Sequence, residues 1–447
     1  MKTSDPGRKF IIVTILTFLF ISAGQAWSMN IIREMQDGND ADEPKAVILP
    51  YAFYTDKMKA TLGAIGGTTG YIQEQVIAGG TAAVSSNGSF LLGGLINDLQ
   101  PMPSLCDRFF ISSIFKLAWF DKNREYRNGN PHYTDEIAGS NDSDQDDYLE
   151  GQGWDAFFNL KLKYLLPIGH GKHKVINRFV LDRGMLVSGA AGGDSYNPLN
   201  SGRTMLEVAP FYRYQSVDDP DASYKSTKTN GVKLTMLYDN RDFFMNPSRG
   251  SVTRFTYARD FGLIDSSDTW TTVDFEFSKY LDLGKINGWC RQTVLAFDFW
   301  TADTPSWDTR KASDGSKYVA HRPPQHMGAT LGGFYRMRAY PDYRFNSRAA
   351  IYYSVEYRAM LDWTPLDRST WIGNLLQWEY LQVVPFIEAG RVNENWNITE
   401  LHKHMKWDGG IGLRADMRRM TLRIDSAVSD EGFGMVFWVM HPFQISY

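Results

Sequence analysis

Several groups in this 447-residue chain have residue types and spacing that could do chemistry. His402-Lys403-His404, with Glu400 just upstream, offers two imidazoles and a carboxylate, the donor types that hold zinc. Histidines at i and i+2 in a polar loop are ordinarily solvated, and no Cys-x-x-Cys exists to build a ribbon, so no metal is expected. Gly63, Gly66, Gly67 and Gly70 have the density of a phosphate loop, but no Gly-Lys-Ser/Thr follows them. Glycines there permit close backbone approach or a bend in a strand. No Gly-x-Ser-x-Gly supplies a nucleophile elbow. A membrane-embedded Ser/His hydrolase has no motif to mark it, so no catalytic residue and no cofactor is assigned. Asp239, Arg241 and Asp242 precede Asn246-Pro247-Ser248-Arg249-Gly250 and read as a charged clamp on a turn. Phe386, Glu388 and Gly390 share one face of a strand whose other face is Val383, Pro385, Ile387 and Ala389. Glu388 therefore points toward water, and a guanidinium is its natural partner because the planar fork can grip a carboxylate at two points.

These groups need a scaffold, and what recurs along the chain is alternation of period two. In Thr269–Tyr280, Val273, Phe275 and Phe277 alternate with Asp274, Glu276 and Ser278. In Ala350–Met360, Ile351, Tyr353, Val355 and Tyr357 alternate with Tyr352, Ser354, Glu356 and Arg358. Period two means strands with one apolar and one polar face. Such strands fit a half-exposed sheet in water, or a transmembrane barrel with lipid outside and water inside. Many segments run ten residues or more, where soluble strands favour about 5–6 and membrane-spanning strands need about 9–11. Mid-strand charges suit a wet lumen, and Tyr and Trp at segment ends suit aromatic girdles. The expectation is an all-β, transmembrane antiparallel β-barrel of about sixteen strands. The candidate strands lie near 58–67, 75–84, 88–97, 107–121, 153–167, 175–188, 203–216 and 229–240. Further ones lie near 249–261, 269–282, 289–302, 348–360, 379–391, 405–416, 420–429 and 432–443. With a periplasmic N-terminus, 217–228 and 303–347 face outward, while Ser86-Asn87-Gly88 and Asn246–Gly250 are periplasmic turns. Cys106 and Cys290 then fall on strands four and eleven, nearly opposite walls, so no disulfide is expected between them.

Composition narrows the setting. A mean hydropathy of −0.35 and the lack of a long apolar run after residue 23 exclude a helical membrane bundle. A net charge of −4 argues against nucleic acid as a partner. Lys2, Arg8 and Lys9, then apolar Phe10–Ala23, then Gly24-Gln25-Ala26, form the pattern of a cleaved signal peptide over 1–26. Residues 27–50 are expected to be a short periplasmic segment and 51–447 the barrel, with no second domain.

Four segments carry a family resemblance. Tyr238-Asp239-Asn240-Arg241-Asp242 through Asn246-Pro247-Ser248-Arg249-Gly250 is similar to a D-x-R-D…N-P-x-x-G strand–turn–strand. Leu331-Gly332-Gly333-Phe334-Tyr335-Arg336-Met337-Arg338-Ala339-Tyr340 resembles a G-G…V-R-G-[FY] loop signature. Val384–Gly390 resembles F-x-D-x-G, and Phe437-Trp438-Val439-Met440-His441-Pro442-Phe443 a closing strand ending in an aromatic, with Tyr447 four residues on. In this order they resemble the BamA/TamA group of outer-membrane barrels, the bacterial surface antigen superfamily. Ala339 stands where the family has Gly, Glu388 where it has Asp, and Met440 where Gly is common. The 27–50 segment has no room for a periplasmic POTRA domain of the kind these proteins carry.

The resemblance implies that the 303–347 loop folds back into the lumen and sets Arg338 against Glu388. It implies a monomeric barrel in the outer membrane of a Gram-negative bacterium, surrounded by outer-membrane lipid. It implies a role accessory to protein or lipid assembly or translocation, with a separate periplasmic protein supplying the POTRA function. Alternatives from other classes are a passive channel, a structural surface antigen and a membrane-embedded hydrolase.

Overall fold

A computed structural model describes residues 31–35, 45–55, 57–133, 137–219, 226–311, 313, 315, 317–363, 378–417 and 420–439. The expected signal peptide lies outside the described residues, as do Phe443 and Tyr447. The first half of the chain forms β1 (Ile31–Met35), β2 (Lys45–Thr55), β3 (Lys59–Thr69), β4 (Ile77–Ser85), β5 (Phe90–Leu99), β6 (Phe109–Glu125) and β7 (Leu149–Leu165). Next come β8 (Asn177–Asp182), β9 (Met185–Leu186), β10 (Arg203–Ser216), β11 (Ser226–Asp239), β12 (Gly250–Asp260), β13 (Trp270–Ile286) and β14 (Cys290–Asp303). The rest are β15 (Asp308–Lys311), β16 (Lys317–Ala320), β17 (Ala329–Leu331), β18 (Phe345–Ser347), β19 (Ala349–Leu361), β20 (Trp378–Asn393), β21 (Lys406–Met417), β22 (Met420–Ser429) and β23 (Gly432–Val439).

Sixteen of these strands make one sheet, in the order β2-β3-β4-β5-β6-β7-β10-β11-β12-β13-β14-β19-β20-β21-β22-β23, each antiparallel to its neighbours. The burial pattern follows the alternation and is inside-out relative to a soluble protein. In β10, Met205, Glu207, Ala209, Phe211 and Arg213 are buried, while Leu206 and Val208 are exposed. The same outward set continues through Leu234, Met236, Phe255, Phe297, Ile387, Ile411 (58% exposed) and Leu413. Apolar side chains outside and charges inside are what lipid and a wet lumen require. Exposed Trp289 and Trp363 lie at one end of the sheet, and Trp154, Trp396 and Trp407 at the other, forming two girdles. The sheet curls into a barrel. Leu422 of β22 packs on a cluster of Tyr51, Ile65, Ala83, Leu95 and Ile114 from β2 to β6, so the last strands return to the first.

Two expectations fail, and their errors cancel in the count. Residues 175–188 are not a barrel strand. β8 is only six residues long, and Arg183 and Gly184 turn the chain with positive φ (43° and 80°), so the segment is too short to span. The sixteenth strand is instead β2, which starts at Lys45 inside the segment read as periplasmic. Pro50 disguises it, because proline removes a ladder donor and is tolerated in edge strands. With β2 counted, 86–89 no longer shares an end with the 240–249 turn. It joins β4 to β5 at the end that also carries 126–148 and 304–348. The 240–249 turn lies at the opposite end, beside 166–202. Cys106 also moves, from a strand to the 100–108 connection; it and Cys290 are free thiols.

Candidate functional site

The site grows from a loop that cannot stay outside. After the β15–β16 hairpin, β17 and β18 pair antiparallel and hold a turn between them. That turn depends on Gly332 and Gly333, both at positive φ (110° and 95°). A Cβ on Gly332 would lie 2.3 Å from the Pro341 carbonyl oxygen, and one on Gly333 2.1 Å from the Asp342 carboxylate. The turn closes with Gly332 N–H donating to the Arg336 carbonyl (2.9 Å) and Gly333 N–H to that of Tyr340 (3.0 Å). Its apolar underside, Leu331, Met337, Tyr340 and Phe345, packs with Trp300, Ala350, Tyr352 and Val392 of the barrel wall.

At the tip, Arg338 is 1% exposed. Its Nε donates to Glu388 (3.1 Å) and its backbone N–H to the other Glu388 oxygen (2.7 Å). Its Nη1 donates to Glu356 (2.9 Å) and Asp425 (2.7 Å). The guanidinium lies 3.4 Å above the Phe386 ring, a cation–π contact removed from water. Tyr352 donates its hydroxyl to Glu388, and the Ala339 N–H donates to Asp408 (2.9 Å).

The three wall residues now have distinct tasks. Phe386 stacks on the guanidinium, Glu388 pairs with it, and Gly390 makes room for the loop. A Cβ on Gly390 would come 2.7 Å from Leu331 Cδ1 and 3.3 Å from Met337 Sδ. The family departures also fit. The Ala339 methyl fills a small apolar cluster with Phe386 and Ala427, so a side chain is welcome there. Glu388 receives Arg338 side chain and backbone together with the Tyr352 hydroxyl.

Sequence reasoning found Arg338 and Glu388 but missed most of the charge around them. Arg414 donates to Glu356 (3.2 Å) and to Asp425. Arg358 donates to Glu356 (2.9 Å), Arg423 pairs with Asp425 (3.3 Å), and Arg423 also donates to the Phe334 carbonyl. Four guanidinium groups thus meet Glu356, Glu388 and Asp425 on β19, β20 and β22. The signal was present as charges at every second position, but the partnerships need the cross-strand register, such as Arg414 opposite Arg423. Arg336, the other motif arginine, lies 3.9 Å over the Trp300 ring and 3.3 Å from Glu276. Tyr340 donates to Asp430 (2.6 Å) and to the Trp407 carbonyl (3.1 Å). Arg344, also missed, grips Glu431 through two nitrogens (2.8 and 2.9 Å) and reaches Ser143 (3.0 Å).

The loop tip also touches the last strand. A Cβ on Gly434 of β23 would lie 2.6 Å from the Arg338 carbonyl oxygen and 2.7 Å from Ala339 Cα. Phe437 and Val439 pair with Ile424 and Leu422. Among the described residues no ladder joins β23 to β2.

The 240–249 turn is more than a rim clamp. Arg241 donates to Asp239 from its Nε (2.9 Å) and its backbone (3.0 Å). Asp242 accepts the N–H of Phe243 (2.8 Å) and of Ser248 (3.0 Å) as well as the Ser248 hydroxyl. Burial raises the Asp242 carboxyl above its ordinary pKa. Pro247 is buried, and Gly250 (φ 95°) leaves the 2.0 Å that a Cβ would take from the Asn240 carbonyl. The turn folds inward, with Asn246 reaching Gln292 (3.3 Å).

Other candidates do not converge. The His402 Nε2 lies 2.9 Å from the Tyr353 hydroxyl and its Nδ1 2.6 Å from the Ile398 carbonyl. Among the described residues no three His, Cys, Asp or Glu side chains come together to hold a metal. Gly63 lies in β3 with the Tyr51 ring filling the space its side chain would take.

Inside-out polarity, sixteen antiparallel strands and a loop seated in the lumen define a transmembrane β-barrel of the outer-membrane type. The chain belongs to the Omp85 superfamily: the model of the Omp85 superfamily domain matches residues 206–432, which hold the turn, the loop and its wall. The fold is similar to BamA from Haemophilus ducreyi lacking POTRA domains 1–3 (11% identity, TM-score 0.46, covering 90% of this chain and 70% of that one). It is also similar to CdiB from Acinetobacter baumannii (10%, TM-score 0.46, 89% and 59%) and CdiB from Escherichia coli (8%, TM-score 0.51, 89% and 62%). The chain thus spans about three fifths of the CdiB chains. No curated protein matches it.

Proposed function

We propose that this barrel serves protein or lipid assembly or translocation at the outer membrane, working at the seam between β2 and β23. The observation that carries this reading is the position of the loop tip. Every neighbouring pair from β2 to β23 shares a ladder, whereas the described residues show none between the two end strands. Arg338 and Ala339 rest on β23 at that seam, held from behind by the charges of β19 to β22. An edge strand left without a partner presents a row of hydrogen-bonding groups that another strand can use. The loop occupies the lumen, so the reading assigns it the task of holding the wall beside the seam. Family membership supports a client-handling role. A periplasmic partner that delivers the client would meet the barrel at the end where β2 begins.

The experiment is reconstitution of the full-length barrel in liposomes, followed by addition of a urea-unfolded outer-membrane barrel protein. Faster folding than in empty liposomes supports the reading. No acceleration, together with steady ion conductance through the wild-type barrel, would favour a passive channel and overturn it.

A further inference from the structure

The segment misread as a barrel strand has an unused capacity. β8 and β9 form a hairpin inside the 166–202 connection at the periplasmic mouth, and β1 lies along the other edge of β8. The pairing is parallel over five residues, from Ile31 opposite Asn177 to Met35 opposite Leu181. β1 is therefore a strand added to a hairpin that has its own attachments.

Those attachments are made without β1. Phe179 and Leu181 are buried with Phe243 and Phe244 of the 240–249 turn, the Phe179 and Phe243 rings being 5.1 Å apart. Asn246 donates to the Gly184 carbonyl (3.3 Å), and Arg291 to that of Arg183 (3.2 Å). Arg203 donates to the Val175 carbonyl, and Ala191 N–H to the Asp242 carbonyl (2.9 Å). The hairpin is bolted to the barrel by its face and its turn, leaving one edge for pairing.

The direction of that edge follows from alternation. Val180 uses both backbone groups on the β9 side: its N–H donates to the Ser188 hydroxyl (3.1 Å) and its carbonyl accepts from Val187 (3.0 Å). The groups of Phe179 and Leu181 must then face β1. Because Arg33 is opposite Phe179, the residues that present their own groups to it are Ile32 and Glu34. A parallel ladder this short is exchangeable, since each bond contributes about what ordering one residue costs.

We propose that the outer edge of β8 is a docking site for extended polypeptide at the periplasmic mouth, filled in cis by Ile31–Met35 and open to a second polypeptide's strand when they leave. Main-chain hydrogen bonding gives such a site tolerance for sequence, which suits a client polypeptide arriving unfolded. The inference goes beyond the seam reading and does not depend on seam opening.

The test uses the full-length barrel in detergent micelles and a fluorescent synthetic peptide with the sequence of residues 30–36. Two proteins are compared with wild type. In one, Ile31–Met35 is replaced by a Gly/Ser stretch. In the other, Glu34→Cys and Val180→Cys are introduced with Cys106→Ser and Cys290→Ser, so that oxidation locks the registered pair. Heat-modifiable mobility on gels reports whether each barrel is folded. The expected result is saturable peptide binding to the Gly/Ser barrel and at least tenfold weaker binding to the oxidised lock than to its reduced form. A peptide with Ile32→Pro and Glu34→Pro, lacking the donors turned to β8, should fail to bind. Absence of binding to a folded Gly/Ser barrel, equal binding to locked and reduced forms, or equal binding of the proline peptide would each overturn the proposal.

Discussion

Replacing Arg338 by Met tests how the loop is held. The cost falls unevenly on its three carboxylate partners. Glu356 keeps Arg358 and Arg414, and Asp425 keeps Arg414 and Arg423. Glu388 loses its only cation among the described ion pairs and is left with the Tyr352 hydroxyl and the loop backbone. Removing one member of a buried pair costs about 3–5 kcal/mol, because the remaining charge stays buried and uncompensated. Glu388→Gln should cost less, about 1.5–3 kcal/mol, since Arg338 retains Glu356 and Asp425 and loses one charged hydrogen bond. The double variant Arg338→Met/Glu388→Gln removes the stranded charge, and its cost should fall short of the sum by about 2 kcal/mol. Guanidinium titrations in detergent, read by heat-modifiable mobility and by protease cleavage within 304–348, measure all three. Single effects that add within about 0.5 kcal/mol would refute the reasoning, since additivity means the two groups do not interact.

Three further perturbations follow from the same geometry. His326 is buried in the loop, and that burial, together with Arg213, Lys116 and Lys233, holds its imidazole well below 6.5. A depressed base contributes stability above its unfolded pKa and loses it as pH falls, so protease cleavage of the loop should rise between pH 7.5 and 5 and lose that dependence in His326→Gln. Gly390→Val should displace Leu331 and Met337 at a cost of about 1–3 kcal/mol, visible as faster loop cleavage with the barrel still folded. Ala339→Gly should restore the family residue yet destabilise, by about 1 kcal/mol, because the methyl packed with Phe386 and Ala427 is lost; an unchanged or raised denaturation midpoint would contradict this.

The fold was legible wherever alternation ran ten residues or more. β10 and β22 have the bounds that periodicity gives, because each alternates without interruption from one girdle to the other. Periodicity failed where strand length and turn chemistry decide. It took the short hairpin of β8 and β9 for a wall strand, and Pro50 hid β2, so sixteen was reached through two opposite errors. The consequence was local but real: connections among the first six strands were assigned to the wrong ends. At the site, Glu388 could be placed from its own strand, since its neighbours fix its face. Arg414, Arg423 and Asp425 could not be joined to Arg338 that way, because their meeting depends on register and on how far the loop descends. The turn at Asp242 was visible as a clamp, but its hold on the mouth hairpin is a tertiary fact that local spacing does not encode.

The seam is tested most directly by a reversible lock. Single cysteines placed along β2 and β23, in a background without Cys106 and Cys290, would be screened for the pair that crosslinks quantitatively in the folded, full-length barrel. That pair is then assayed in the liposome folding experiment, oxidised and reduced. A seam that works on clients predicts that the crosslink abolishes acceleration and that reduction restores it. Full acceleration by a quantitatively locked barrel would contradict it.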